Sequence, residues 1–489
     1  LVAAGASSLK ANVVWSAARN WVVRLGSAVV FFILARILPP EQIGLFSAAL
    51  AVIAFVEIVA ENGLGDAVIQ SSRFTDEIVV AALWCNLVIG SATAVVLYTI
   101  SPLLEDWLQA PGLAAILSTL ILAVLLNSIS YVPQAVMRRK FLYKSLAIRA
   151  TVATGVSGLV GLALAIAGYG IWSMVVQFNL FCALNCLIVW RVSPIRLFVR
   201  PDFGHLRQLM QFGFQIFLSR VLYFASTRII EFVLLYKFGP VTLAYYIMGS
   251  RITFIASQLL TAVTVDVALT SFSRSVSDLP RLVGMYLDSL SFSTFVSVPV
   301  FVGLAAIAPE FCTVVFGEKG ENAVPFMIAT SVLQAVLAGQ ALNGSLLSAR
   351  GFPGYSACIL VLQSVLALAV LLPDWQMTAS HYIFVYCGAI ASTTIVYFLL
   401  LRHVISIRFA DFAAVIFPAY AASVLMYACI AGVRYALDRS IGDLGLLVAT
   451  VLTGIIVYTG FMAALYPAYL RKNVGHIWSR KNLGKGAKA

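Results

Sequence analysis

The chain has 489 residues, of which 61% are hydrophobic and 11% charged, and this excludes a water-soluble globular protein, in which roughly a quarter of residues are charged. The net charge of +12 invites a nucleic-acid reading, but the cations are spread through short loops between apolar runs rather than gathered in one patch, so no nucleic-acid partner is expected. A transmembrane β-barrel would alternate apolar and polar residues, whereas 114–126 is almost continuously apolar, so the spans are helices.

Taken in chain order, the first two predicted helices cover 12–37 and 41–61. The first carries Arg19 and Arg24 and runs too far for a signal sequence, so no cleavable signal peptide is expected. The second carries Glu57 and Glu61 one turn apart on one face, and Asp66 follows it. Helices over 77–101 and 112–134 lead into RRKFLYKSLAIR at 138–149. There Arg138, Arg139, Lys140, Lys144 and Arg149 alternate with apolar anchors, which predicts an interfacial amphipathic helix that fixes topology, or a landing site for an anionic lipid headgroup. Helices over 147–168 and 170–191 precede a second basic loop with Arg191, Arg196, Arg200 and Arg207. The seventh and eighth helices are expected at 211–237 and 241–271, then 283–308, 323–348, 354–373, 380–402, 411–433 and 443–468. Arg402 and Arg408 follow the twelfth helix, and Arg471, Lys472, Arg480, Lys481, Lys485 and Lys488 fill the tail. The alternate loops are acidic or mixed, with Glu105, Asp106, Glu310, Glu318, Glu321, Asp374, Asp438 and Asp443. By the positive-inside rule the basic side is cytoplasmic, and both termini lie there. Arg73 runs against the pattern, outnumbered by Asp76 and Glu77.

An internal repeat organises these helices. ILARILPPEQIGLFSAAL (33–50) aligns without gaps to VLLYKFGPVTLAYYIMGS (233–250), 200 residues later. Each copy ends a helix, turns through a proline and opens a helix rich in small residues. Six helices separate the copies, so both start on the same side and the repeat is parallel. The expected architecture is an all-α integral membrane protein of about fourteen transmembrane helices. Two pseudo-symmetric six-helix lobes, 1–202 and 203–405, enclose a central cavity; helices thirteen and fourteen (406–470) and a basic cytoplasmic tail (471–489) complete it.

The charges inside the spans carry the functional signal, because one arginine at a helix centre costs roughly 2.5–3.5 kcal/mol on the insertion scale. Arg220, Thr227, Arg228 and Glu231 form one stripe on the seventh helix, and the repeat maps it to the face of the first helix that carries Asn20, Arg24 and Ser27. Arg251 and Gln258 lie nearly eclipsed on the eighth helix. Arg228 and Glu231 are spaced to satisfy each other at i,i+3, whereas Arg24, Arg220 and Arg251 have no acid nearby in sequence. A cavity lined by Arg24, Arg220, Arg251 and Arg228 suits an anionic substrate, since a guanidinium stays charged and grips phosphate oxygens in pairs. Glu57, Glu61, Glu231 and Asp266 are candidates for ion coupling. The seven cysteines sit mostly in apolar segments without histidine partners and read as packing residues, so no metal and no cofactor is expected.

The segment ILARILPPEQIGLFSAALAVIAFVEIVAENGLGDAVIQ (33–70), with QAVMRRKFLYKSLAIRA (134–150) and GYGIWSMVVQ (168–177), resembles polysaccharide flippases of the Wzx type. These belong to the multidrug/oligosaccharidyl-lipid/polysaccharide (MOP) exporter superfamily, and the likeness is nearest to the exopolysaccharide, colanic-acid-like branch. The resemblance implies alternating access in the bacterial inner membrane, with an undecaprenyl-pyrophosphate-linked oligosaccharide as substrate in exopolysaccharide or lipopolysaccharide biosynthesis. Membrane lipids, and a polymerase and co-polymerase, are the partners it implies, around a monomer that is not an enzyme. The alternatives weighed are a peptidoglycan-precursor flippase, a multidrug antiporter, which would want an acidic or aromatic cavity, and a membrane polymerase, which would want a large outer loop.

Overall fold

The fold is that of a computed structural model, which describes residues 23–70, 74–193, 195, 199–202, 204, 206–273, 275–373, 376–437, 442–471 and 473, without the side chains of 206–209, 212, 261–271 and 371. The described residues form helices and no strand. The helices are α1 (residues 23–37), α2 (Pro40–Glu61), α3 (Leu64–Gln70), α4 (Asp76–Trp107), α5 (Leu113–Arg139), α6 (Tyr143–Ile166), α7 (Ile171–Val192) and α8 (Leu206–Ser273). They continue with α9 (Leu279–Ala306), α10 (Ala308–Phe316), a 3-10 turn (Gly317–Ala323), α11 (Val324–Ala338), α12 (Asn343–Ala349), α13 (Pro353–Leu371), α14 (Ala379–Ile405), α15 (Phe409–Leu437) and α16 (Asp443–Leu465).

Eleven stretches among the described residues are long and apolar enough to cross a membrane. α1 and α8 stand outside those eleven. α8 is two arms joined at Gly239, whose φ of 78° and ψ of 177° break the helix just before Pro240. The first copy of the repeat breaks at the equivalent place, with residues 38 and 39 non-helical between α1 and α2. The tenth predicted span is interrupted as well. α10 and the 3-10 turn precede α11, and the chain unwinds between Ala338 and Asn343 before α12. Two expectations are corrected. Residues 138–149 are not a separate interfacial helix: Arg138 and Arg139 finish α5, Phe141 turns the chain at φ 56°, and α6 starts at Tyr143. Glu310 is not a loop acid but a buried residue in the first turn of α10.

The chain groups into two compact units, Leu1–Ile247 and Met248–Ala489. This division falls inside α8, whose first arm meets the α2–α3 turn where Gly213 lies against Gly63. In the first unit α4 packs on α5, α5 on α7 and α7 on α6, with α2 and α3 on α5. Small residues set the approach, as expected where helices meet in lipid. A Cβ on Gly90 would lie 2.1 Å from Ser128 Oγ, one on Gly161 2.8 Å from Gln177 Cβ, and one on Gly44 1.7 Å from the Pro240 carbonyl oxygen. In the second unit α9 packs on α11 and α15, and α15 on α16. The Arg434 guanidinium at the end of α15 pairs with Glu310, its Nη2 standing 3.0 Å from Oε2, and also bonds the Ala306 carbonyl. The Tyr286 hydroxyl donates to Asn343 Oδ1 at 2.8 Å, which ties α9 to α12 inside the buried core.

Candidate functional site

The break between α2 and α3 builds the most polar place in the first unit. Asn62 closes α2 in the left-handed region at φ 43°, and Gly63 follows at φ 74°. Two successive left-handed residues reverse the chain within one turn. Glu61, the last residue of α2, and Asp66, in the first turn of α3, thereby face a common point. The first arm of α8 comes against this turn backbone to backbone: a Cβ on Gly63 would lie 2.3 Å from the Gly213 carbonyl oxygen. Arg220 is seven residues further along, about two turns and roughly 10 Å, on the same face. Its Nη1 bonds Glu61 Oε2, and its Nη2 stands 2.6 Å from Asp66 Oδ2. One guanidinium is thus gripped by two carboxylates, and the cluster carries one net negative charge. The Arg220, Glu61 and Asp66 side chains keep 33%, 19% and 28% of their exposure, so the cluster is partly buried.

One turn back along α2, Glu57 faces α5. Asn127 Nδ2 donates to Glu57 Oε1 at 2.6 Å and lies 3.6 Å from Cys182 Sγ. Among the described residues no basic side chain forms an ion pair with Glu57. Asn62 adds a bond from Nδ2 to Asn86 Oδ1 at 3.2 Å, where Asn86 is fully buried. The open end of α3 is held by Arg139, whose Nη1 donates to the carbonyls of Val68 at 2.7 Å and Ile69 at 3.0 Å while the guanidinium lies 4.3 Å from the Phe74 ring centre. Arg139 is therefore a structural cap and not a headgroup ligand.

The predicted residues divide accordingly. Arg220 meets two acids that lie 159 and 154 residues away in sequence, which local spacing does not reveal. Arg228 and Glu231 form the i,i+3 pair that their spacing suggested, with Glu231 buried and Arg228 exposed. Arg24 and Arg251 are half-buried on α1 and the second arm of α8. The Asp266 side chain lies outside the described residues, as do Arg19, Asn20, Arg73, Arg196, Asp374, Asp438 and the tail from 474 onward. Among the described residues no cluster of three or more His, Cys, Asp or Glu could hold a metal ion. Sequence reasoning passed over Asn127, whose only signal is an amide in the middle of an apolar span.

Known proteins resemble this chain over most of its length. The succinoglycan biosynthesis transport protein ExoT of Rhizobium meliloti (strain 1021) is 24% identical over 332 residues, covering 68% of this chain and 67% of that protein. The lipopolysaccharide biosynthesis protein WzxC of Escherichia coli (strain K12) is 21% identical over 372 residues, 75% of each. In structure, the lipid II flippase MurJ in its inward closed conformation superposes with a TM-score of 0.74 at 14% identity, over 94% of this chain and all of that one. The fold is thus that of a multi-pass membrane transporter. The family described as "Polysaccharide biosynthesis protein" matches residues 33–325, well over half of the sequence, and the chain belongs to that family.

Proposed function

We propose that this protein moves an oligosaccharide repeat unit, carried on undecaprenyl pyrophosphate, across the bacterial inner membrane for exopolysaccharide or lipopolysaccharide biosynthesis. The names of the relatives support the pathway, and the Arg220 cluster supports the chemistry. A pyrophosphate presents two linked anionic groups, and the Arg220 fork already holds two separate carboxylates. The headgroup displaces Glu61 and Asp66 from the guanidinium, which exchanges one pair of charge-assisted hydrogen bonds for another. Arg24, Arg251 and Arg228 are the further cations on the path, and Arg228 must first leave Glu231. The lipid tail stays in the bilayer, so the protein needs only to carry the polar head, and no covalent step is required.

Taking α1 and the two arms of α8 as crossings besides the eleven apolar stretches makes fourteen spans. Lobes of 1–202 and 203–405 then rock about the repeat axis, with 406–470 appended and 471–489 as a basic tail. The basic loops support a cytoplasmic location for both ends, and on that reading the α2–α3 break lies toward the same side. Glu57 takes the coupling ion: it lies within a span, it has no cation partner among the described residues, and Asn127 can hold it either as an acid or as a carboxylate beside a bound Na⁺. Glu61, Glu231 and Asp266 are the other carboxylates that ion coupling can use. A polymerase and co-polymerase receive the product, and the transporter works as a monomer.

The test is complementation of a strain that lacks its own exporter of this class, with surface polymer as the readout. Arg220→Ala is expected to cut polymer about 10- to 100-fold while the protein stays in the membrane. Full polymer from Arg220→Ala would remove the headgroup reading.

A further inference from the structure

We infer that the turn between α14 and α15 is a binding site for the phosphate headgroup of a lipid, separate from the Arg220 cluster. The turn borders an open cavity of about 360 Å³ lined by Arg402, Ser406, Ile407, Arg408 and Phe409. That volume lies within the ordinary range for small-ligand pockets. Arg402 and Arg408 both line it, are exposed, and form no ion pair among the described residues. The nearest acid in sequence is Asp411, which is exposed in the first turn of α15.

The backbone makes this convergence a built feature. Ser406 adopts φ 53°, and its N–H bonds the Arg402 carbonyl at 3.0 Å, which ends α14 there. α15 starts at Phe409, so the last turn of α14 and the start of α15 border one space, with the Ser406 hydroxyl beside the two cations. The floor is rigid. Phe398 meets Phe409 edge-on at 5.4 Å and Phe412 at 5.3 Å, and Ile405, Ile407 and Phe412 are buried in the core beneath. Phe409 itself is 67% exposed. Two cations and a hydroxyl at a helix end, next to an exposed aromatic on an apolar helix, match both halves of an anionic lipid: phosphate oxygens on the guanidinium groups, and the start of the chain on the ring.

Topology alone would explain a cation at each of these positions, because basic residues retain a loop in the cytoplasm. It would not require them to share a cavity. Basic pockets between transmembrane helices on that side are sites for phosphate headgroups. The headgroup can come from the anionic phospholipids of the membrane or from an isoprenyl diphosphate, and the same chemistry serves both.

The experiment places the full-length protein in phosphatidylcholine nanodiscs and titrates it with phosphatidylglycerol or farnesyl diphosphate, using inorganic pyrophosphate as the tailless probe. Saturable binding of at least one tailed probe is expected. Each of Arg402→Gln and Arg408→Gln should weaken it about fivefold, and the double variant about 25-fold, the ratio expected for independent cations near an anionic headgroup. Preference for phosphatidylglycerol would assign the site to membrane lipid, and preference for farnesyl diphosphate to the carrier. The Arg402→Lys/Arg408→Lys variant should keep most of the binding. Equal binding of the tailed probes by wild type and a folded Gln double variant would overturn the inference. So would pyrophosphate binding as tightly as both tailed probes, since the ring would then contribute nothing. Repeated in an Arg220→Ala background, where the transport site is removed, the titration should still show the loss caused by the Arg402→Gln/Arg408→Gln pair, which separates the site from the transport reading; no further loss in that background would overturn the inference.

Discussion

Arg220 shows how a charge is tolerated inside an apolar span. An isolated arginine there is costly, but this one has Glu61 on Nη1 and Asp66 on Nη2. Arg220→Ala removes two charge-assisted hydrogen bonds and leaves two carboxylates facing each other. Transport should fall about 10- to 100-fold, the range that charged hydrogen bonds represent, and quantified surface polymer checks it. Arg220→Lys keeps the charge but loses the fork, so it should recover only part of the activity. Glu57 is the opposite case, a carboxylate answered by an amide and by no cation among the described residues. Glu57→Gln keeps the shape and the Asn127 contact while fixing the group as neutral. It should abolish dependence of transport on the coupling-ion gradient without dislodging the protein from the membrane. Transport that still follows the gradient in Glu57→Gln would move the coupling role to another acid.

At the scale of helices, one close contact inside each unit ties its helices together. Gly44 meets the Pro240 backbone so closely that a Cβ would lie 1.7 Å from its carbonyl oxygen. Neither side can yield without moving a helix, so Gly44→Ala should destabilise the first unit by about 1–3 kcal/mol, read as a lowered melting temperature in detergent. Arg434 and Glu310 join α15 to α10, with the Glu310 side chain only 4% exposed. Arg434→Ala strands that carboxylate and should cost about 3 kcal/mol, whereas Arg434→Ala with Glu310→Gln should recover part of the loss. These pairings also mark what was legible in the sequence. The helix ends were legible: spans predicted at 41–61 and 443–468 appear as Pro40–Glu61 and Asp443–Leu465, because hydropathy and proline act locally. The Arg228–Glu231 pair was legible because its spacing is one helical turn. Arg220 with Glu61, and Arg434 with Glu310, are separated by 159 and 124 residues, and only packing brings them together. The interfacial helix expected at 138–149 failed for a related reason. Its cations looked amphipathic, but Arg139 is consumed by the carbonyls that α3 leaves open.

For the whole molecule, a chain read as apolar and basic has the fold of a multi-pass membrane transporter and belongs to a family named for polysaccharide biosynthesis. The repeat at 33–50 and 233–250 coincides with helix breaks at matching positions, residues 38–39 and Gly239. The most direct test reconstitutes the purified protein in liposomes containing an undecaprenyl-pyrophosphate oligosaccharide with a fluorescent sugar, and follows its exposure to a membrane-impermeant quencher. The account predicts protein-dependent exposure of the sugar on the opposite leaflet, lost in Arg220→Ala and retained when Arg402 and Arg408 are both replaced by Lys. Exposure at the same rate with Arg220→Ala as with wild type, or no exposure above protein-free liposomes with a folded wild-type protein, would contradict it.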